Sequence, residues 1–146
     1  MTSLLENNSR DFDCINVYVL DNGISRDNVG RIRSVCERYP CRVTFLNVNI
    51  FELVDFPLTP MGNELSDASF ASYSRLFLAT LLPDEVNKVI YFDCDGLIIG
   101  SLKDLWEMDI SDCCCAGVIQ HGINDNLKRE FWFLDVDNYI NAGFLS

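Results

Sequence analysis

An α/β fold with a mostly parallel sheet flanked by helices is the expectation for this 146-residue sequence. Three observations support it. Strand-like and helix-like segments alternate, prolines and Asn-Gly turns punctuate them, and the apolar run Val89-Ile-Tyr-Phe92 leads straight into two aspartates. Alternation of this kind marks βα repeats. A short run rich in β-branched and aromatic residues is how a buried strand of a parallel sheet reads.

Residues 14–20, Cys-Ile-Asn-Val-Tyr-Val-Leu, read as the first strand, and Asp21-Asn22-Gly23 turns it toward a helix with Ser25 as N-cap. Val29, Ile32, Val35 or Cys36, and Tyr39 recur at helical spacing until Pro40 stops the pattern. Arg42 to Val48 is a second strand. Pro57, Pro60 and the Met61-Gly-Asn turn make 51–66 a loop with one short helical piece. From Asp67 to Leu82 the spacing of Phe70, Tyr73, Phe77 and Leu81 predicts a helix ended by Pro83, with Arg75 off the apolar stripe. Lys88 to Phe92 is the third strand. Residues 97–99 form a short strand or turn, and 102–108 a helical turn. Cys113 to Gln120 is a fourth strand, and Asn138 to Ser146 begins another.

Composition describes one globular unit. The chain is 49% hydrophobic, which suffices for a core, and its length is short for two domains. No apolar run approaches the roughly 20 residues of a membrane span. A net charge of −11 excludes a nucleic-acid backbone or an anionic membrane surface as the main partner. It does not exclude a phosphorylated ligand, because a bound dication reverses the local sign. The seven cysteines lack a C-x-x-C pair, so neither a disulfide framework nor a structural zinc site is expected. Cys113 to Cys115 read as small residues of a buried strand in a reducing compartment, which places the protein in the cytoplasm.

Asp93 and Asp95 concentrate the potential chemistry. Ligands of open α/β sheets bind at the carboxyl ends of strands, and two hard carboxylates there suit Mn²⁺ or Mg²⁺ and, through it, a diphosphate. Carboxylates at i and i+2 of an extended strand share a face but stand too far apart to clasp one ion, so the chain should bend, with Gly96 supplying the dihedrals.

Four blocks give the sequence a family resemblance: Ser72-Tyr-Ser-Arg75-Leu, Lys88-Val-Ile-Tyr-Phe-Asp93-Cys-Asp95, Gly100-Ser-Leu-Lys-Asp-Leu-Trp106, and Tyr139-Ile-Asn141-Ala-Gly-Phe144. Their order and separation resemble the glycogenin-like and lipopolysaccharide galactosyltransferase-like retaining glycosyltransferases. Leu20-Asp-Asn-Gly-Ile-Ser25 also resembles that family's second strand and turn. The resemblance implies a GT-A-like fold and transfer of a hexose from a nucleotide-diphosphate sugar, commonly a uridine diphosphate (UDP) sugar, to a carbohydrate, lipid-linked or protein acceptor. It makes Asp93 and Asp95 the D-x-D metal ligands, with Asp93 also at the donor, and brings Arg75 and Asn141 to the donor as well. The catalytic residues remain unknown. Members begin with a strand ahead of the helix that Met1 to Asn8 resembles, and carry an acid–amide pair and a metal-binding histidine downstream. The first strand and the C-terminal part are therefore expected to be missing from this chain, and the isolated piece is expected to be a poor enzyme or none.

Two other readings stay open. Phe92-Asp93-Cys-Asp95-Gly96 also resembles the opening motif of haloacid-dehalogenase-like phosphatases, in which Asp93 would be the nucleophile and Asp95 the acid and base. That family follows its glycine with threonine, whereas Leu97 stands here. The third reading is a non-catalytic domain that binds a nucleotide sugar or a partner subunit. Asp135-Val-Asp137 reads as a helical or loop segment, His121 as an ordinary loop residue, and Trp106 and Trp132 as core.

Overall fold

The computed structural model describes residues 1–48, 74–113, 115–119 and 140–145. The expected loop at 51–66, the first part of the helix begun at Asp67, and Gln120, His121, Trp132 and Asp135 to Asp137 lie outside them. The chain divides into two compact units, Met1–Asn87 with Ile98–Gly100, and Lys88–Leu97 with Ser101–Ser146.

In the first unit, α1 spans Thr2–Asn8, where the family resemblance places a helix. Its Leu5 and Asn8 are fully buried. A buried amide has to be hydrogen-bonded. Asn8 Nδ2 donates to the carbonyls of Leu4 at 2.9 Å and Gly100 at 3.2 Å. Asn7 Nδ2 donates to the Ile98 carbonyl at 2.9 Å, and Ser3 Oγ accepts from the Ile98 amide at 3.2 Å. The helix thereby holds the segment 98–100 by polar bonds.

β1 (Ile15–Asp21) and β2 (Cys41–Asn47) pair in parallel, Ile15 opposite Cys41 through Asp21 opposite Asn47. A parallel pair needs a crossover, which α2 (Arg26–Cys36) supplies. Ser25 Oγ accepts from the Asn28 amide at 3.3 Å, the N-cap expected from sequence. Val29, Ile32 and Val35 are half-buried and Cys36 buried, while Arg26, Asp27, Gly30, Arg31 and Ser34 are exposed. The Arg33 guanidinium lies 5.6 Å from the Phe45 ring centroid, joining α2 to β2. The helix ends before Tyr39, which was expected on its apolar stripe. The Tyr39 hydroxyl instead donates to the Glu6 carboxylate, and that bond raises its pKa above the ordinary phenol value.

Cys36 and Cys41 form a disulfide with their Cα atoms 5.4 Å apart. Its sequence signal is topological: one cysteine ends the crossover helix and the other opens the strand it leads to. A short 3₁₀ turn, Ser74–Phe77, runs into α3, Leu78–Leu81, ahead of Pro83.

In the second unit, β3 (Tyr91–Phe92), β4 (Gly117–Ile119) and β5 (Ile140–Leu145) form one sheet with β5 in the centre. Both pairings are antiparallel, with Tyr91 opposite Leu145 and Phe92 opposite Phe144. The expectation of a mostly parallel sheet therefore holds for β1 and β2 and not for this sheet. An apolar run signals burial on both faces and does not encode the direction of its neighbour.

α4 spans Lys103–Glu107. Lys88 Nζ donates to the carbonyls of Trp106 at 2.7 Å and Met108 at 2.6 Å, satisfying carbonyls at the helix end, and sits 5.6 Å from the Trp106 ring. Trp106, expected in the core, is 41% exposed, with this lysine over its ring. Cys113 and Cys115, expected in a buried strand, are free and exposed. The Cys113 amide closes a turn onto the Ile110 carbonyl at 3.0 Å, so the strand starts only at Gly117. Among the described residues the buried apolar side chains are Leu5, Cys36 and Val48, and β1 and β2 are mostly half-buried.

Candidate donor and metal site

Asp93 is the first residue past β3, and the chain bends there as the separation of its carboxylates requires. The Gly96 amide donates to the Asp93 carbonyl at 3.0 Å, closing a four-residue turn that carries Asp93 and Asp95 together. Asp93 is half-buried and Asp95 exposed. Gly96 was expected for its dihedrals, yet among the described residues the glycine with positive φ is Gly23, at 94°. Its role at 96 is close approach: a Cβ there would meet the Asp93 carbonyl oxygen at 3.2 Å.

The Tyr91 hydroxyl donates to Asp93 Oδ1 at 2.9 Å. This contact was missed from sequence, although strand periodicity carries the signal, since residues 91 and 93 share a face. The tie formed by Lys88 was missed as well; it links the segment leading into β3 to the end of α4.

Asn141 lies on β5, the central strand of the same sheet. Phe92 pairs with Phe144, and past this pair the antiparallel direction carries β5 back through Gly143 and Ala142 to Asn141 as β3 runs into Asp93. Backbone topology therefore places Asn141 on the neighbouring strand at the end of the sheet from which the turn departs. Arg75 is half-buried in the 3₁₀ turn and belongs to the first unit.

The donor set can be tested against a metal. Two carboxylates on one turn supply hard oxygen ligands, and among the described residues no group of three or more His, Cys, Asp and Glu forms a cage. Such a pair fits a dication that keeps water or phosphate oxygens in the rest of its shell, as Mg²⁺ commonly does. It does not fit a structural zinc site.

The chain belongs to glycosyl transferase family 8: the family model matches residues 1–145. It is 31% identical over 144 residues to General stress protein A of Bacillus subtilis, covering 98% of this chain and 48% of that protein. A Haemophilus influenzae protein whose name places it among glycosyltransferases is 33% identical over 134 residues, covering 90% of this chain and 38% of its own length. Lipopolysaccharide 1,3-galactosyltransferase of Salmonella typhimurium is 21% identical over 137 residues, covering 88% of this chain and 37% of that enzyme. The chain thus spans less than half the length of these curated relatives. The family match runs through Phe92 to Gly96 and sets this block in a glycosyltransferase context. Among the described residues no helix is long and apolar enough to cross a membrane.

Proposed function

We propose that the chain forms the donor-binding part of a retaining hexosyltransferase of GT-A-like fold, acting on a nucleotide-diphosphate sugar, most simply a UDP sugar. The observation that carries the reading is the turn bearing Asp93 and Asp95 at the end of β3, in a chain whose family is that of glycosyltransferases. Asp93 and Asp95 would hold Mn²⁺ or Mg²⁺, which when bound neutralises charge developing on the departing diphosphate. The Arg75 guanidinium suits forked hydrogen bonds to donor oxygens, and the Asn141 amide suits sugar hydroxyls. The acceptor is a carbohydrate, a lipid-linked acceptor or a protein. The name of the Salmonella relative, a galactosyltransferase acting on lipopolysaccharide, favours a hexose donor.

Titration with UDP-galactose or UDP-glucose, with and without Mn²⁺, tests this reading. Metal-dependent binding is expected, weakening by roughly 100-fold in the Asp93→Asn, Asp95→Asn variant. A trapped phosphoaspartate at Asp93 would overturn it in favour of the phosphatase reading.

Cytoplasmic residence belongs to the same proposal. It rests on the free thiols at Cys14, Cys94, Cys113 and Cys115 and requires the Cys36–Cys41 disulfide to be open in the cell. Alkylation before lysis should then label both Cys36 and Cys41, and their protection would contradict it.

A further inference from the structure

We propose that Tyr91 is a positioning residue for the metal ligand Asp93, an inference that rests on the metal-dependent donor reading above. A carboxylate beginning a turn can rotate about its χ2, a broad torsion with little intrinsic preference. A ligand that rotates meets an incoming dication in many orientations, few of them productive. Tyr91 narrows this freedom because its hydroxyl donates to Asp93 Oδ1 at 2.9 Å in a part-buried setting.

The donor stands on a fixed element. Tyr91 pairs with Leu145 of β5, so its backbone is set by the sheet, while Asp93 is already in the turn. The hydroxyl therefore transmits the orientation of the sheet to the carboxylate two residues on. Groups that hold a metal ligand from outside the coordination shell change metal affinity by about 10- to 100-fold when removed. Tyr91→Phe deletes the donor and keeps the ring, which separates positioning from packing.

The test uses this chain as it stands, with Mn²⁺ alone and Mn²⁺ with UDP as probes. Electron paramagnetic resonance reads the loss of the free-ion signal as metal binds. Four proteins are compared: the unmodified chain, Tyr91→Phe, Asp93→Asn, and the two changes together. Tyr91→Phe should weaken Mn²⁺ binding by about 10-fold and broaden the bound-ion spectrum, with its melting temperature little changed. Asp93→Asn should abolish the bound signal, and adding Tyr91→Phe to it should change nothing further.

Equal Mn²⁺ affinity in Tyr91→Phe and the unmodified chain, with Asp93→Asn still binding none, would overturn the role of Tyr91 and leave the donor reading standing. No Mn²⁺ bound by the folded unmodified chain, with or without UDP, would overturn both. If Tyr91→Phe lowers the melting temperature, the cycle still decides. An equal loss of melting temperature in an Asp93→Ala background, which removes the accepting oxygen, means the hydroxyl is uncoupled from the carboxylate and contradicts the proposal; a loss that vanishes there supports it.

Discussion

The strands β1 and β3 both lead into an aspartate followed shortly by a glycine, yet the two carboxylates bond differently. At the end of β1, Asp21 Oδ1 accepts from its own turn, from the Gly23 amide at 2.9 Å and the Ile24 amide at 2.7 Å. The side chain is part of the turn. At the end of β3 the turn is closed between backbone groups, Gly96 amide to Asp93 carbonyl, while the carboxylate accepts from Tyr91 on the strand. The glycines divide in the same way, Gly23 adopting a left-handed conformation and Gly96 making room for a carbonyl. A strand–Asp–Gly pattern therefore does not mark a site. What separates the two ends is whether the carboxylate closes its own turn.

Substitutions can break this contrast. Asp21→Ala should show the largest loss of stability, about 1–3 kcal/mol, because two turn amides lose their acceptor. It should leave Mn²⁺ binding untouched, and a matching loss of metal affinity would merge the two turns. Gly23→Ala forces a Cβ into the left-handed region and should cost about 1–2 kcal/mol in chemical denaturation, again without a binding phenotype. Gly96→Ala should cost less than about 1 kcal/mol, since φ there needs no glycine and a contact at 3.2 Å asks the turn to yield only slightly. Its effect should fall on Mn²⁺ affinity, by several-fold, because the carbonyl it presses on belongs to Asp93.

The smallest effects are pH-dependent and separate the two units. Hydrogen bonds from Ser111, then the charge of Lys88, hold the exposed Asp109 carboxyl below the usual carboxylate range. Its stabilisation is present above the unfolded pKa and lost as pH falls through the lower folded value. Melting curves of Asp109→Asn and the unmodified chain should converge in acid. Tyr39 has the opposite sign: the bond to Glu6 raises its pKa above the ordinary 10.0. That contribution is present below pH 10 and lost as pH rises through the folded value, so Tyr39→Phe should match the unmodified chain only in strong alkali.

The elements best read from sequence are those whose signals are local. Ser25 caps α2 because its oxygen reaches an amide three residues on, and Pro83 follows α3 because proline cannot continue a helix. The bend between Asp93 and Asp95 was legible for the same reason, from strand rise alone. What sequence hid was pairwise. The antiparallel placement of β5 beside β3 depends on residues about fifty positions apart, and the disulfide on a crossover returning to its start. Lys88 reaching the carbonyls of Trp106 and Met108 is likewise a tertiary fact, as is the exposure of the Trp106 ring. Tyr91 lay within reach of local reasoning, since strand alternation points it the same way as Asp93; as an apolar strand residue it was read for burial and not for its hydroxyl.

The central claim is that the turn after β3 is a metal–diphosphate site and the turn after β1 is not. Calorimetric titration with UDP, with and without Mn²⁺, tests it on the unmodified chain, on Asp93→Asn, Asp95→Asn, and on Asp21→Asn. The account predicts Mn²⁺-dependent binding that survives in Asp21→Asn and disappears in the double variant. Metal-dependent UDP binding retained when both Asp93 and Asp95 are replaced, or absent from the folded unmodified chain, would contradict it.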